Sequence, residues 1–258
     1  MSPRPTQLHG TALASSFGSI AAEYDAARPG YPAELFDAIE ELAGFPLRGA
    51  RVLDVGAGTG KATRRLRDRG AAVVAVEPTP GMAEQFRAVT PDVPLVRSDG
   101  DALPFADGCA DLVSYAQAFH WTDPARSVPE AMRVLRPGGA LALFWNVKDR
   151  SVDWLGEQEQ RLRRNCEAHH PFGDSGDALR VLREQGVQAR SAVLHWTRTI
   201  PVEQAVQDIG SRSYCAVLPP QQRAVVLDVE RRALLEVFPD GVVVEPYRVD
   251  LTVAVRGV

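Results

Sequence analysis

Residues 51–60 read RVLDVGAGTG, an apolar run that ends in an acid and continues into Gly56, Gly58 and Gly60. This pattern predicts a buried strand, a glycine-rich loop and then a helix that begins near Lys61. Glycine can adopt positive φ, and because it has no Cβ atom it lets a ligand approach the backbone closely. The loop is therefore a candidate cofactor-binding site.

A second acid follows the next predicted strand. The apolar run Ala72–Val76 leads to Glu77, which lies 19 residues after Gly58. An acid at the tip of the second strand is placed to accept hydrogen bonds from a ribose. The loop and the acid together indicate that the chain binds an adenosine-like cofactor at the carboxyl edge of a parallel sheet.

Two other glycine-loop motifs fit less well. The phosphate-binding loop needs G-x-x-x-x-G-K-[ST], but Val55 stands at its first glycine and Ala62 at its hydroxyl. The dinucleotide motif G-x-G-x-x-G/A ends in a small residue, and this chain has Lys61 or Thr63 there, depending on the glycine counted first. An NAD-dependent oxidoreductase is therefore a less favoured alternative, and the remaining pattern is D-x-G-x-G-x-G from Asp54.

The chain resembles the class I S-adenosylmethionine-dependent methyltransferases. The matching segments are Val52–Gly60, Val73–Glu77, Arg97–Phe105, Asp111–Trp121, Val134–Asn146 and the N-terminal stretch Tyr24–Pro32. They cover about two thirds of the chain, and the N-terminal stretch is similar to the small-molecule branch that includes trans-aconitate methyltransferase-like enzymes. The resemblance implies S-adenosyl-L-methionine as the cofactor and methyl transfer to a small-molecule acceptor.

The order of predicted elements agrees with that family's fold, an α/β Rossmann-like, doubly wound, mostly parallel seven-stranded sheet with helical cap insertions. Helices are predicted at Ala33–Leu42, Lys61–Arg69, Gly81–Val89, Pro124–Leu135, Trp154–His169, Asp177–Gln185, Val202–Ile209 and Pro220–Phe238. Strands are predicted at Arg51–Val55, Ala72–Glu77, Leu95–Arg97, Asp111–Tyr115, Ala140–Trp145, Val187–Thr197 and Val242–Val255. We expect a single domain, residues 1–258, with an N-terminal lid at about 15–32 and helical caps at about 150–186 and 200–238.

The resemblance also implies a set of cofactor-binding residues. They are Tyr24, Arg28, Asp54, Gly56, Ala57, Gly58, Gly60, Glu77, Pro78, Met82, Asp99, Gly100 and Gln117. Some have alternatives: Asp54 can instead brace the loop, Met82 can simply pack in the core, and Arg28 can pair within the lid. Counting back from Leu103-Pro104-Phe105, Asp99 rather than Asp101 matches the family's acceptor for the adenine amino group.

Residues for the methyl acceptor are expected after the fourth strand and in the lid and cap. His120 is a candidate general base, since an unshifted histidine titrates near neutral pH, and the alternative is a structural histidine. The residues expected at the substrate are Tyr31, Trp121, Arg212 and Tyr214, whose alternative roles are packing and ion pairing. A carboxylate acceptor needs no base, whereas hydroxyls and carbon acids often do.

Composition limits the other function classes. The net charge of -4 disfavours nucleic acid as a partner, and there is no run of 18 apolar residues to span a membrane. Three scattered cysteines suit reduced thiols and a cytoplasmic location. Cys166, His169 and His170 do not have the spacing of a metal site, so no metal is expected. Non-methylating chemistry such as cyclisation stays open, because a fold does not fix a reaction, and the oligomeric state is not predicted.

Overall fold

The computed structural model describes residues 21–167 and 176–257, without the side chains of 22–24, 176, 177 and 213. Its helices are α1 (Ala21–Ala27), α2 (Ala33–Ala43), α3 (Lys61–Asp68), α4 (Pro80–Val89), α5 (Pro124–Val134), α6 (Asp153–Asn165), α7 (Gly176–Glu184), α8 (Val202–Gly210), α9 (Ser213–Ala216) and α10 (Pro220–Val237). The strands are β1 (Arg51–Val55), β2 (Ala72–Val76), β3 (Leu95–Val96), β4 (Ala110–Ala116), β5 (Leu135–Lys148), β6 (Arg190–Pro201) and β7 (Val242–Val255). A 3₁₀ turn covers Phe119–Trp121.

The seven strands form one mixed sheet in the order β3-β2-β1-β4-β5-β7-β6. The pairs β2–β3, β1–β2, β1–β4 and β4–β5 are parallel. Strand β7 runs antiparallel to β5, because Gly138 near the start of β5 bonds Arg256 after the end of β7. The predicted mostly parallel α/β fold is confirmed. The chain order reverses between β1 and β4, which is where ligands bind in open α/β sheets.

Most predicted elements are present, with one informative difference at β5. We expected Pro137-Gly138-Gly139 to separate a helix from a strand that begins at Ala140, but β5 begins at Leu135, directly after α5. Gly138 donates to the carbonyl of Arg256, and Arg256 donates back to Gly139, so this stretch takes part in the sheet. Gly138 has φ 73°, a conformation that glycine adopts without strain.

Helix α6 ends at Asn165, short of the predicted end at His169, and residues 168–175 lie outside the described part.

The described residues pack into two compact units, each made of separate segments. The first unit contains 21–29, 148–167 and 195–248, and the second contains 30–147, 176–194 and 249–257. The core of the second unit centres on the apolar residues of β1, β4 and β5, for example Val55, Val113 and Leu141. The first unit has its own apolar clusters, one around Val206 and Leu234. The expectation of a single domain with lid and caps stays a prediction.

Candidate functional site

The glycine loop after β1 is folded tightly against its neighbours. The amides of Gly56 and Ala57 both donate to the carbonyl of Val76 at the end of β2, at 2.8 and 3.0 Å. Gly56 has φ 69°, and a Cβ atom there would overlap the Cβ of Ala118. Gly56 is therefore required both by its backbone conformation and by the close approach of the chain that follows β4.

Of the three glycines in the loop, Gly58 is the one with open space where a Cβ atom would lie. Its φ is 57°, and within the described residues nothing lies within 4 Å of where its Cβ would be. Its amide donates to Oε2 of Glu77 at 2.9 Å, and the amide of Thr79 donates to Oε1 at 2.8 Å. A carboxylate oxygen can accept two hydrogen bonds, and each oxygen of the buried Glu77 accepts one here, so capacity remains for a ligand's hydroxyl groups.

Asp54 lies beneath the loop rather than in it. Its side chain is fully buried and accepts hydrogen bonds from the hydroxyls of Thr63, at 2.6 Å, and Ser114, at 2.8 Å. Burial raises the pKa of Asp54 to about 6, against the opposing effect of these two hydroxyls. The carboxylate ties the start of α3 to β4, so the geometry favours the bracing role over direct cofactor contact.

Asp99 and Asp101 differ in what they contact. Asp99 is exposed, and its Oδ1 accepts from the amide of Asp101 at 3.0 Å. The carboxylate of Asp101 instead accepts from the amide of Asp123, just before α5, at 3.0 and 3.3 Å. Partial burial raises the pKa of Asp101. Asp101 therefore has a structural partner, whereas the exposed carboxylate of Asp99 is open to a ligand. Gly100 packs against the ring of Tyr115.

Two residues that sequence reasoning missed hold the Asp99 loop in place. Glu130 accepts from the amide of Leu103 at 2.8 Å, and Arg133 donates to the carbonyls of Leu103 and Phe105 at 2.9 and 2.8 Å. Glu130 and Arg133 also pair with each other along α5 at 2.9 Å. The spacing i, i+3 of an acid and a base was the available signal, but it does not reveal which loop the pair supports.

The end of β4 carries an unusual backbone conformation. Among residues 21–167 and 176–257, Gln117 is the one non-glycine residue with positive φ, 60°. Its side-chain amide donates to the carbonyl of Asn146 at 2.6 Å, and the Asn146 amide donates to the carbonyl of Gly30 at 3.0 Å. Non-glycine residues in this region are strained and cluster at ligand sites. Gln117 was predicted as a cofactor residue, whereas Asn146 was not singled out.

His120 lies in the 3₁₀ turn after β4. The indole N–H of Trp145 faces Nδ1 of His120 at 3.3 Å, and the Trp121 ring packs beside the imidazole at 4.7 Å. His120 lies at the surface, yet the protein atoms around its ring lower the pKa of the imidazole to about 4. A neutral imidazole that accepts at Nδ1 carries its proton on Nε2, so neither nitrogen has a lone pair for a substrate proton. This geometry favours the structural alternative for His120.

The remaining predicted residues of the second unit lie in different environments. Met82 is buried in α4, in line with its packing alternative, and Pro78 is exposed. Tyr31 is buried edge-on against Phe144, with ring centroids 5.2 Å apart, and Trp121 is 39% exposed. The roles of Pro78, Tyr31 and Trp121 stay predictions.

Four predicted residues belong to the first unit, and two of them, Arg28 and Arg212, lie in a group that we call the charge cluster. It consists of Arg28, Lys148, Arg198, Asp208, Arg212 and Glu245. Arg28 lies 3.5 Å from Asp208 and donates to the Ser211 hydroxyl at 3.0 Å, while Arg212 donates to Asp208 at 2.9 Å. Tyr214 is buried nearby, and its burial raises the pKa of its phenol. Tyr24 is in α1, but its side chain is outside the described ones.

The second unit thus has the donors and acceptors of a nucleoside-cofactor site. Gly58 is open to a ligand, and Glu77 can accept from ribose hydroxyls at the adjacent strand end. Asp99 offers a further exposed carboxylate on the loop that follows β3. These residues fit an adenosine-containing cofactor, and the fold places them where α/β proteins bind one.

Comparisons with known proteins give the same class. Residues 53–143 match the family model described as "Methyltransferase domain". An uncharacterized methyltransferase of Mycobacterium tuberculosis is 38% identical over 225 residues, 86% of each chain. An uncharacterized methyltransferase-like protein of Schizosaccharomyces pombe is 30% identical over 213 residues, 82% of each chain. Among solved structures, a putative type II methyltransferase from Anaeromyxobacter dehalogenans is 25% identical in sequence, with a TM-score of 0.64 over 89% of this chain and 96% of that one.

The chain belongs to the class I S-adenosylmethionine-dependent methyltransferase family. The predicted family and enzyme class are confirmed, and the trans-aconitate methyltransferase-like branch stays a prediction. Within the part of the chain that the structure describes, no helix is long and apolar enough to cross a membrane.

Proposed function

We propose that this protein transfers the methyl group of S-adenosyl-L-methionine to a small-molecule acceptor in the cytoplasm. The observation that carries the proposal is the pairing of Gly58 with Glu77, which puts an open loop backbone beside a buried carboxylate with spare acceptor capacity. Family membership supports the reaction type, and the small acceptor is supported by the acidic net charge, which disfavours nucleic acid.

Each part of the proposed site has one task. When bound, the cofactor supplies a methyl group already activated on a sulfonium sulfur. Glu77 would accept from the ribose hydroxyls, Asp99 would accept from the adenine amino group, and the Gly56–Gly60 loop would let the cofactor approach its backbone. The protein's contribution is then to orient the reactants and exclude water, and orientation alone is worth roughly 7–11 kcal/mol. Asp54 acts through the loop that it braces.

We expect that His120 does not remove a proton from the acceptor. Its Nδ1 faces the indole N–H of Trp145, and the surrounding protein atoms lower the pKa of the imidazole, which favours its neutral form. We infer that the acceptor is a nucleophile that is already deprotonated at neutral pH, such as a carboxylate, or one that loses its proton to another group. A carboxylate would agree with the trans-aconitate methyltransferase-like branch.

Formation of S-adenosylhomocysteine tests the function. The purified protein is incubated with S-adenosylmethionine and a panel of small carboxylates, phenols and amines that includes trans-aconitate, and products are followed by mass spectrometry. We expect acceptor-dependent S-adenosylhomocysteine in equal amount to a methylated product. Cofactor binding without any methylated product, or conversion of an acceptor without S-adenosylhomocysteine, would contradict methyl transfer. Calorimetry with NAD excludes the oxidoreductase alternative if no heat is released.

A further inference from the structure

Among the described residues, three cations of the charge cluster pair with two carboxylates. The cations are Lys148, Arg198 and Arg212, and the carboxylates are those of Asp208 and Glu245. Arg28 also lies beside Asp208, at 3.5 Å. Both acids are fully buried, and the side chains of Lys148 and Arg198 are only 15% and 10% exposed. Burying an unbalanced charge destabilises the folded state, so we expect the surplus cation to be neutralised by a bound anion.

One terminal nitrogen of the Arg198 guanidinium, Nη2, makes no hydrogen bond within the described residues. Its Nε donates to Oε2 of Glu245 at 2.5 Å, and its Nη1 donates to the carbonyl of Ala27 at 3.0 Å. Its Nη2 is buried and has no hydrogen-bond acceptor in the described part of the chain, with the nearest paired carboxylate oxygen, on Asp208, 3.6 Å away. The planar guanidinium is held by Glu245 and lies over the Tyr247 ring at 5.5 Å, so the direction of Nη2 is fixed.

A second donor without an acceptor lies beside Lys148. Oε1 of Gln158 accepts from Lys148 Nζ at 3.2 Å, which identifies the other amide atom as the N–H₂ group. This nitrogen is buried and has no hydrogen-bond partner within the described residues. Two buried carboxylate oxygens also lack a well-aligned hydrogen bond, but each has a cation near it: Asp208 Oδ1 lies 3.5 Å from Arg28, and Glu245 Oε1 lies 2.7 Å from Lys148. The unmet demand is therefore for an acceptor.

We propose that the charge cluster is a binding site for a small oxyanion, a carboxylate or phosphate group, whose oxygens accept from Arg198 Nη2 and Gln158 Nε2. Arginine's fork matches the spacing of carboxylate and phosphate oxygens, and its charge strengthens each hydrogen bond. The site lies within the first unit. Its two proposed donors, Arg198 and Gln158, are neither cofactor nor acceptor residues of the methyl-transfer proposal, so oxyanion binding is tested separately from methyl transfer.

Calorimetry with two probes tests the site. Malonate and inorganic phosphate are each titrated into the full-length protein in a low-salt buffer, and sodium chloride at matched ionic strength is the control for screening. We expect saturable one-site binding of at least one probe and none of chloride, and the tighter of the two identifies the source of the oxyanion. If neither probe binds beyond the chloride control at millimolar concentrations, the proposal is wrong.

Two variants assign the binding to the cluster. Arg198→Lys keeps the charge but lacks Nη2, and Gln158→Met removes the amide with little change in size. We expect each to weaken the better probe at least tenfold. Arg231→Lys is the matched control, because Arg231 pairs with Glu203 at the surface of the same unit at 2.7 Å. The affinity of this variant for the probe should stay within twofold of the wild-type value. Unchanged affinity in both cluster variants would overturn the assignment.

A fold check separates loss of the site from loss of structure. Circular dichroism and the unfolding temperature are measured for every variant without ligand. Gln158→Met removes a buried donor that has no acceptor within the described residues, and with it the oxygen that accepts from Lys148 Nζ. We therefore expect a small fall in unfolding temperature, with the variant still folded, together with the loss of anion affinity. If Arg198→Lys does not fold, Gln158→Met decides the assignment by its anion affinity, because it leaves the ion pairs of Glu245 with Lys148 and Arg198 in place.

Discussion

Glu77 accepts hydrogen bonds from two backbone amides and has lone pairs left for a ligand in the proposed site. Its oxygens hold the Gly58 and Thr79 amides, and their remaining lone pairs are free for ribose hydroxyls. The sequence predicted this residue from its place after the second apolar run. It did not predict that Glu77 also shapes the loop, because the glycine amide that it binds comes from a different strand end.

Glu77→Gln should weaken the binding of S-adenosylmethionine. The amide keeps the size of the side chain but replaces one acceptor oxygen with a donor, so a ribose hydroxyl or a loop amide is left without a partner. We expect a loss of about 1.5–3 kcal/mol in binding free energy, the usual worth of a hydrogen bond to a charged group. Calorimetry measures it, with the exposed Glu84→Gln on α4 as control. Equal affinity in a folded variant would remove Glu77 from the site.

Asp99→Ala should weaken cofactor binding more than Asp101→Ala does. The exposed Asp99 is the carboxylate open to a ligand, whereas Asp101 is engaged by the Asp123 amide. We expect a loss of about 1.5–3 kcal/mol in binding free energy for Asp99→Ala. For Asp101→Ala the expected effect is on stability. Both affinities are measured by calorimetry at 25 °C. The opposite order would show that the predicted register of this loop is off by two residues.

His120→Gln should leave the pH dependence of turnover unchanged. In the structure His120 is neutral and its Nδ1 faces the Trp145 indole N–H, so it has no free lone pair for proton removal. The expected result is a modest fall in turnover from altered packing, less than the 10²–10⁴-fold typical of general-base loss. The check is the profile of kcat against pH from 5 to 9. An acidic limb in the wild type that disappears in the variant would establish His120 as a base.

At the scale of elements, the sheet edge where β1 and β4 meet sets the loop geometry. The strand order places Gly56 after β1 next to Ala118 after β4. Periodicity and glycine spacing predicted both strands, because each is a short apolar run bounded by turn residues. The contact between the two loops is a consequence of strand order, which local sequence does not encode.

Gly56→Ala should destabilise the protein and the cofactor site together. The added methyl overlaps Ala118, which costs about 1–3 kcal/mol, and positive φ costs a non-glycine residue about 1–2 kcal/mol more. Adding Ala118→Gly should remove the overlap and restore part of the loss, while the backbone strain remains. Urea unfolding of the two single variants and the double variant measures the coupling. If the double variant is no more stable than Gly56→Ala, the overlap is not the cause.

Helix–strand boundaries show where local signals fail. Pro137-Gly138-Gly139 is a strong turn signal, yet these residues lie in β5, because Arg256 after β7 bonds to Gly138 and Gly139. Similarly, the sequence offered Asp54 as a brace for the loop but did not identify Ser114, 60 residues away, as one of its partners. In both cases the partner is distant in sequence, so no window of neighbouring residues contains the information.

At the scale of the whole molecule, two buried acids, Asp54 and Asp208, make the stability of the fold depend on pH in opposite directions. The pKa of Asp54 is raised by burial, so its proton stabilises the folded state and that contribution is lost as pH rises from about 4 to 6. For Asp208, burial opposes ionisation, but the neighbouring cations, Arg212 foremost, hold its pKa well below the usual range. Its contribution is present above pH 4 and is lost as the solution is acidified.

The unfolding free energy of Asp54→Asn, relative to that of the wild type, should therefore increase as pH rises. The variant cannot ionise, so between pH 4 and pH 7 the difference in unfolding free energy should move in its favour by up to about 3 kcal/mol, from a shift of about two pKa units. Urea unfolding at pH 4, 5, 6 and 7 measures this difference directly. A difference that does not change with pH would mean that Asp54 titrates normally. Asp153→Asn, on α6, is the control.

The charge cluster has a practical consequence for labelling. The chain contains two lysines, and one of them, Lys148, is held at 2.7 Å from Glu245 in the first unit. The other, Lys61, begins α3 directly after Gly60. An ammonium that is paired and mostly buried reacts slowly with amine-directed reagents, so Lys148 should be modified slowly by a fluorophore ester. Peptide mass spectrometry of the labelled protein would then follow the strength of the ion pair between Lys148 and Glu245.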